Sequence, residues 1–150
     1  MKTMIRLVVV CFLALAFGSC RKTVVVPENP LAGSWYISSV AESDGYSWQP
    51  VVTGLENGIF DFYDNGAARY TDGNTGMQGV WFINTLNGGY YDQYGNYYTD
   101  VHQSLDIQLA DPYTHDRVNL YFDDVQLYGN RFYATYYNGR TIERFTFVRY

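Results

Sequence analysis

The side chains best suited to move a proton or hold a metal near neutral pH are the two histidines, His102 and His115, with Asp100, Asp111 and Asp116 as their nearest carboxylates. A metal site would recruit His102, His115 and Asp111, yet no pair of these has the spacing that sets two ligands on one strand face or helical turn. A hydrolytic site would join His102 or His115 to Ser104 or Ser47, but the chain has no nucleophile elbow and no glycine-rich oxyanion loop. The turns Asp61-Phe62-Tyr63-Asp64-Asn65-Gly66 and Thr71-Asp72-Gly73-Asn74 carry acidic residues without the spaced ligands and closing Glu of a calcium loop. Asx residues are ordinary turn formers, and Asp123-Asp124 reads as a solvated loop. The sequence therefore predicts a non-enzymatic protein with no catalytic residue, no metal and no cofactor.

Two other features carry chemistry. From Gly88 to Tyr98 five tyrosines, Tyr90, Tyr91, Tyr94, Tyr97 and Tyr98, stand among Gly, Asn and Gln. Tyrosine offers a large contact area with little side-chain entropy to lose, which suits a flap or a loop that docks a protein or glycan partner. The alternative is an exposed hairpin whose rings pair across strands. The second feature is Cys20. Lys2 and Arg6 precede an apolar run from Leu7 to Phe17, too short for a permanent membrane span, and the small residues Gly18 and Ser19 follow. Phe17-Gly18-Ser19-Cys20 resembles the bacterial lipobox, which implies cleavage before Cys20 and lipid on its thiol and amino group. The alternative is an ordinary secretory signal in which Cys20 is incidental.

Cleavage would remove Cys11, leaving no disulfide within a monomer, and with Lys2 and Arg6 gone the formal charge would pass from -5 to -7. The remaining basic residues form no stripe, so nucleic acid and anionic lipid surfaces are excluded as partners. Arg21-Lys22 is the only basic pair and reads as a solvated flank near lipid headgroups. The anchor would hold the chain at a membrane, since each buried methylene contributes about 0.8 kcal/mol.

Three segments follow: a signal peptide over 1–19, a lipidated cysteine and extended tether over 20–30, in which Pro27 and Pro30 oppose a helix, and one domain over 31–150. Within the domain, short alternating apolar runs broken by Gly, Asn and Asp predict strands and no helix. They cover Gly33 to Ala41, Gly58 to Tyr63, Ala67 to Thr71, Gly79 to Thr85, Ser104 to Leu109, Arg117 to Phe122, Val125 to Tyr128, Arg131 to Tyr137 and Thr141 to Arg149. Asn65-Gly66 and Asn138-Gly139 are read as two-residue turns with both residues at positive φ, and Gly129-Asn130 as another turn. Phe60 with Phe62, Leu105 with Ile107 and Leu109, Val118 with Leu120 and Phe122, Phe132 with Ala134 and Tyr136, and Phe145 with Phe147 each share a face. An all-β antiparallel meander of about eight strands, closed into a barrel, hides its edges best; a two-sheet sandwich is the alternative.

Leu31-Ala32-Gly33-Ser34-Trp35, Phe60-Asp61-Phe62 with its Asp64-Asn65-Gly66 turn, Gly79-Val80-Trp81 and the ending Glu143-Arg144-Phe145-Thr146-Phe147-Val148-Arg149 occur in an order that resembles the lipocalin-like lipoproteins of Bacteroidetes, within the calycin barrels. The resemblance covers Leu31 to Tyr150. It implies that Trp35 plugs one end of the barrel beneath Arg144 or Arg149, and that the interior takes an apolar or amphipathic small molecule. Contacts would come from Phe60, Phe62, Trp81, Leu120, Phe122 and Tyr136. The chain departs from typical lipocalins in its lack of a disulfide and in an insertion-like segment from Asn87 to Gln103. The acidic export signal of some Bacteroidetes lipoproteins is absent after Cys20, where Arg21-Lys22 stands, so a place in the cell envelope facing the periplasm is expected.

Overall fold

Alternation of apolar and polar residues, with glycine where the backbone must reverse, produces strands joined by tight turns over residues 29–150, which the computed structural model describes. The expected signal peptide, Cys20 and most of the tether lie outside the described residues. Twelve strands follow one another: β1 (Gly33–Ser43), β2 (Trp48–Val51), β3 (Ile59–Phe62), β4 (Ala67–Thr71), β5 (Gly76–Asn87), β6 (Tyr90–Tyr91), β7 (Tyr97–Tyr98), β8 (Val101–Ala110), β9 (Arg117–Phe122), β10 (Asp124–Tyr128), β11 (Arg131–Tyr137) and β12 (Ile142–Arg149). There is no helix among the described residues, and hence none long and apolar enough to cross a membrane.

Ten strands form one antiparallel sheet in the order β10-β11-β12-β1-β3-β4-β5-β8-β9, with β2 on the far half of β1, while β6 and β7 make a separate hairpin. β9 and β10 end the order, and between them the chain bends through the single residue Asp123, whose N–H is held by the Thr135 carbonyl at 2.7 Å. β10 also lies against β8. The segment read as an insertion from Asn87 to Gln103 is ordered differently: the long strands β5 and β8 pair from Gln78↔Ala110 to Asn87↔Val101, and only the β6–β7 hairpin stands between them. β2 escapes a reading by alternation because it is only four residues long and contains Pro50. A proline is tolerated there because β2 has one neighbour only.

One face of the sheet is lined by Trp35, Ile37, Val40, Phe60, Phe62, Tyr70, Trp81, Leu105, Ile107, Phe122, Phe132, Phe145 and Phe147, all buried in a single core. Trp35 and Ile37 alternate correctly, but Val40 falls three residues after Ile37. A bulge between Ile37 and Ser39 absorbs the extra residue and restores the inward phase. Aromatic rings meet edge to face or stacked: Trp35 against Phe132 at 4.8 Å and 77°, Phe132 parallel to Phe147 at 4.4 Å, and Phe122 across Phe145 at 5.0 Å and 69°. The pairing of β5 with β8 has a residue-level requirement at Gly79, where any Cβ would lie 1.8 Å from the Gln108 carbonyl oxygen of β8. Only glycine lets the two strands approach so closely.

The turns depart in detail from the two-residue geometry read from Asn65-Gly66 and Asn138-Gly139. Gly66 alone takes positive φ, and the Gly66 N–H bonds the Tyr63 carbonyl at 3.0 Å, a type I turn followed by a glycine bulge. The second is a four-residue loop. Its Asn138 side-chain oxygen accepts the N–H groups of Arg140 and Thr141, so a local side-chain bond replaces backbone strain.

Candidate functional site

Along β12 the inward positions read Glu143, Phe145, Phe147, so one carboxylate shares the face that otherwise carries phenyl rings. Opposite, β9 presents Leu120 and Phe122 from the sheet edge that pairs with nothing beyond β8 on its far side. Between these two walls opens a cleft of about 360 Å³ lined by Leu120, Phe122, Tyr136, Phe145, Glu143, Asn119 and Tyr121. Phe122 and Phe145 are buried and form its floor, while Leu120, Tyr136 and Glu143 are half-buried at its walls. The volume lies at the lower end of the range for small-molecule sites. It lies where the hydrogen-bond ladder ends at β9, so that Leu120 and Tyr136 stay half-buried above the buried Phe122 and Phe145.

Leu120, Phe122 and Tyr136, named from sequence as ligand contacts, meet in this cleft; Phe60, Phe62 and Trp81 do not. Phe60 is sealed between Tyr70 and Phe147, and Trp81 lies against Phe62 with its indole N–H donated to the Tyr63 carbonyl at 2.9 Å. Alternation marks all six as inward but cannot say where along the inner face an opening falls. Glu143 was missed, although a carboxylate in phase with Phe145 and Phe147 was the available signal. Burial raises the Glu143 pKa above its ordinary value, the nearby Glu42 charge adds to the rise, and the neutral Asn138 side chain opposes it. Glu42 and Glu143 are register partners across β1 and β12.

At another end of the sheet Trp35 is fully buried, its indole N–H donated to the Leu31 carbonyl at 2.8 Å. The Arg149 guanidinium sits 4.5 Å above the ring and donates to the Pro30 carbonyl. Gly33 makes room for it, since a Cβ at that position would meet Arg149 Nη1 at 2.7 Å. Of the two arginines named for this contact, Arg149 is the one placed there; Arg144 lies 4.1 Å over Trp48 instead. The cause is parity, because β12 directs Arg144 to the face opposite Phe145.

The tyrosine-rich segment is the β6–β7 hairpin, packed on the outward side of β11 and β12. The Thr135 hydroxyl donates to the Tyr91 carbonyl at 2.5 Å, Arg144 donates to the Gln93 carbonyl at 2.7 Å, and Tyr91 packs on Tyr137. Tyr90 and Tyr98 stack across the hairpin at 5.7 Å, and Tyr91 meets Tyr97 at 5.2 Å. Tyr90 is buried, whereas Tyr94, Tyr97 and Tyr98 remain exposed. None of the five lines the Leu120–Phe122 cleft. The Asp92 carboxylate holds the tip by accepting the N–H groups of Tyr94 and Asn96 at 2.9 and 2.8 Å.

Under this hairpin lies Asp124, and here the reading of Asp123-Asp124 as a solvated loop is corrected. Asp123 accepts the Tyr137 N–H at 2.8 Å, and Asp124 is buried at the start of β10 with its pKa pushed up to about 6 by desolvation. A bond from Gln126 and the His102 ring oppose that rise. His102 stacks on Tyr90 at 4.3 Å with Nδ1 3.1 Å from the Asp100 carbonyl oxygen. Ser104 is buried, and Ser47 is on an exposed loop. His115 sits in the loop beyond the other end of β8, held beside Asp111, which caps that loop through the N–H groups of Tyr113 and Thr114. A ten-residue strand spans roughly 30 Å, so His102 cannot share a metal with His115 and Asp111. No cluster of three metal-ligating side chains occurs among the described residues.

No protein-family model matches the chain, and neither a curated protein nor a solved structure does so.

Proposed function

We propose that this chain is a lipid-anchored lipoprotein of the bacterial cell envelope whose domain, a lipocalin-like meander coiled toward a barrel, binds a small apolar or amphipathic molecule without catalysing a reaction. The observation that carries this reading is the 360 Å³ cleft between β9 and β11–β12, with Phe122 and Phe145 as its floor. Apolar surface removed from water contributes about 25 cal/mol for each Å², so the half-buried Leu120 and Tyr136 walls of this cleft favour an occupant. Coiling toward a barrel is supported by a sheet whose two end strands adjoin through Asp123, by the bulge in β1 and by the close approach at Gly79. The anchor rests on the Phe17-Gly18-Ser19-Cys20 motif and the apolar run before it.

Native mass spectrometry of the mature chain, taken before and after organic extraction, tests the binding reading. A stoichiometric adduct is expected to leave on extraction and to be absent from Leu120→Trp, whose larger side chain fills the cleft. A wild-type chain that stays free of adducts after incubation with envelope lipid extract would overturn it. One observation favours a second reading, docking of a protein or glycan partner. Tyr94, Tyr97 and Tyr98 project from a hairpin whose backbone is already fixed to the sheet, so their contact surface would be preorganised. Truncation of those three rings to alanine would then abolish partner capture and leave the adduct unchanged.

A further inference from the structure

We infer that the cleft takes an organic cation with an apolar tail, the tail lying on Leu120, Phe122 and Phe145 and the cationic head facing Glu143, with Glu42 beside it. This inference rests on the reading that the cleft is a ligand site, and it names the class of ligand. A cleft for a neutral apolar molecule needs no charge, and a carboxylate half-buried among phenyl rings is costly unless something offsets it. No basic side chain offsets it within the described residues. The charged neighbour acting on Glu143 is another carboxylate, its register partner Glu42, and the Asn138 side chain that acts on it is a neutral amide. Arg144, adjacent in sequence, is directed to the opposite face, where Trp48 and the Gln93 carbonyl hold it.

A ligand cation would offset the cost of burying Glu143 and its repulsion from Glu42 together, and the half-buried Tyr136 beside the Phe122 and Phe145 floor adds aromatic surface next to the cation. An anionic amphiphile such as a fatty acid would meet Glu143 with a second negative charge. The formal charge, -5 for the full sequence and -7 once Lys2 and Arg6 are removed, adds a long-range field of the same sense, drawing cations to the surface and repelling anions.

The test uses the mature chain from residue 20 carrying Cys20→Ser, which retains every described residue, titrated calorimetrically with octyltrimethylammonium, 1-octanol and octanoate below their aggregation limits. The cation is expected to bind at least tenfold more tightly than the alcohol, and octanoate more weakly than either. Glu143→Gln should remove that tenfold preference while leaving octanol affinity within a factor of two, and Leu120→Trp should abolish binding of both. Equal affinity for cation and alcohol, an unaltered preference in Glu143→Gln, or cation binding that survives Leu120→Trp would each overturn the cation assignment while leaving an apolar site standing where octanol still depends on Leu120. Absence of binding by all three probes would overturn the cleft as a ligand site and this inference with it.

Discussion

At the scale of single residues, the contact between Arg149 and Trp35 depends on a position that has no side chain. Gly33 has φ of 128°, a conformation L side chains rarely adopt, and its missing Cβ is the space the guanidinium occupies. Gly33→Ala is expected to cost about 2 kcal/mol in urea unfolding, combining backbone strain with displacement of the arginine. Arg149→Ala should cost about 1 kcal/mol alone and markedly less in the Gly33→Ala background, because the first change already breaks the stack. Asp124 makes the opposite kind of statement. With its native pKa raised to about 6 from 3.8, the folded chain holds a proton between those values that the unfolded chain has released. Its ionised form therefore destabilises the fold above pH 6, and stability is regained as pH falls through the window. Asp124→Asn should be more stable than the parent by on the order of 1 kcal/mol above pH 6, with the difference vanishing below about pH 4. Unfolding of both chains at several pH values checks this.

At the scale of elements, the β6–β7 hairpin shows how a two-residue pair of strands can persist. Strands that short are marginal alone, and this one is held by cross-strand tyrosine pairs, by the Thr135 and Arg144 bonds and by the Asp92 tip. Asp92→Ala leaves the N–H groups of Tyr94 and Asn96 without their acceptor and should cost about 1–2 kcal/mol, with faster amide exchange concentrated in residues 90–98. Equal acceleration across β11 and β12 would show instead that the hairpin and the sheet open as one unit. The composition of this segment left a docking flap and a hairpin of paired rings as alternatives, and the rings do pair across the hairpin. Its docking face could not be read there, because the partners Thr135, Tyr137 and Arg144 lie some 40 to 50 residues away in sequence.

At the scale of the molecule, one aromatic inner face serves nine consecutive neighbours in the sheet, and the cleft borders that face where the strand order ends. Gly79 is where the approach of two strands is least negotiable. Gly79→Val would drive a side chain into the β8 backbone at Gln108, and the expected outcome is failure to reach the native state, visible as loss of near-ultraviolet circular dichroism. A cooperatively folded Gly79→Val chain would show that the β5–β8 ladder can flatten without loss of the core.

Strand existence was legible in the sequence because the side-chain period of a strand is local: nine runs of alternating residues correspond to β1, β3, β4, β5 and β8 to β12. Glycine and Asx punctuation likewise marked the reversals, and parity placed Phe60, Phe122, Phe132, Phe145 and Phe147 on the buried side. Three things were decided only by the tertiary structure. The ladder ends at β9, so Leu120, Phe122 and Tyr136 border an opening while Phe60 and Trp81 are sealed. Asp124 is covered by a hairpin that precedes it by more than twenty residues. Glu143 faces Glu42 across a pair of strands about a hundred residues apart. Each depends on which distant strands become neighbours, and local periodicity carries no information about that: it says which way a side chain points and is silent on what it meets.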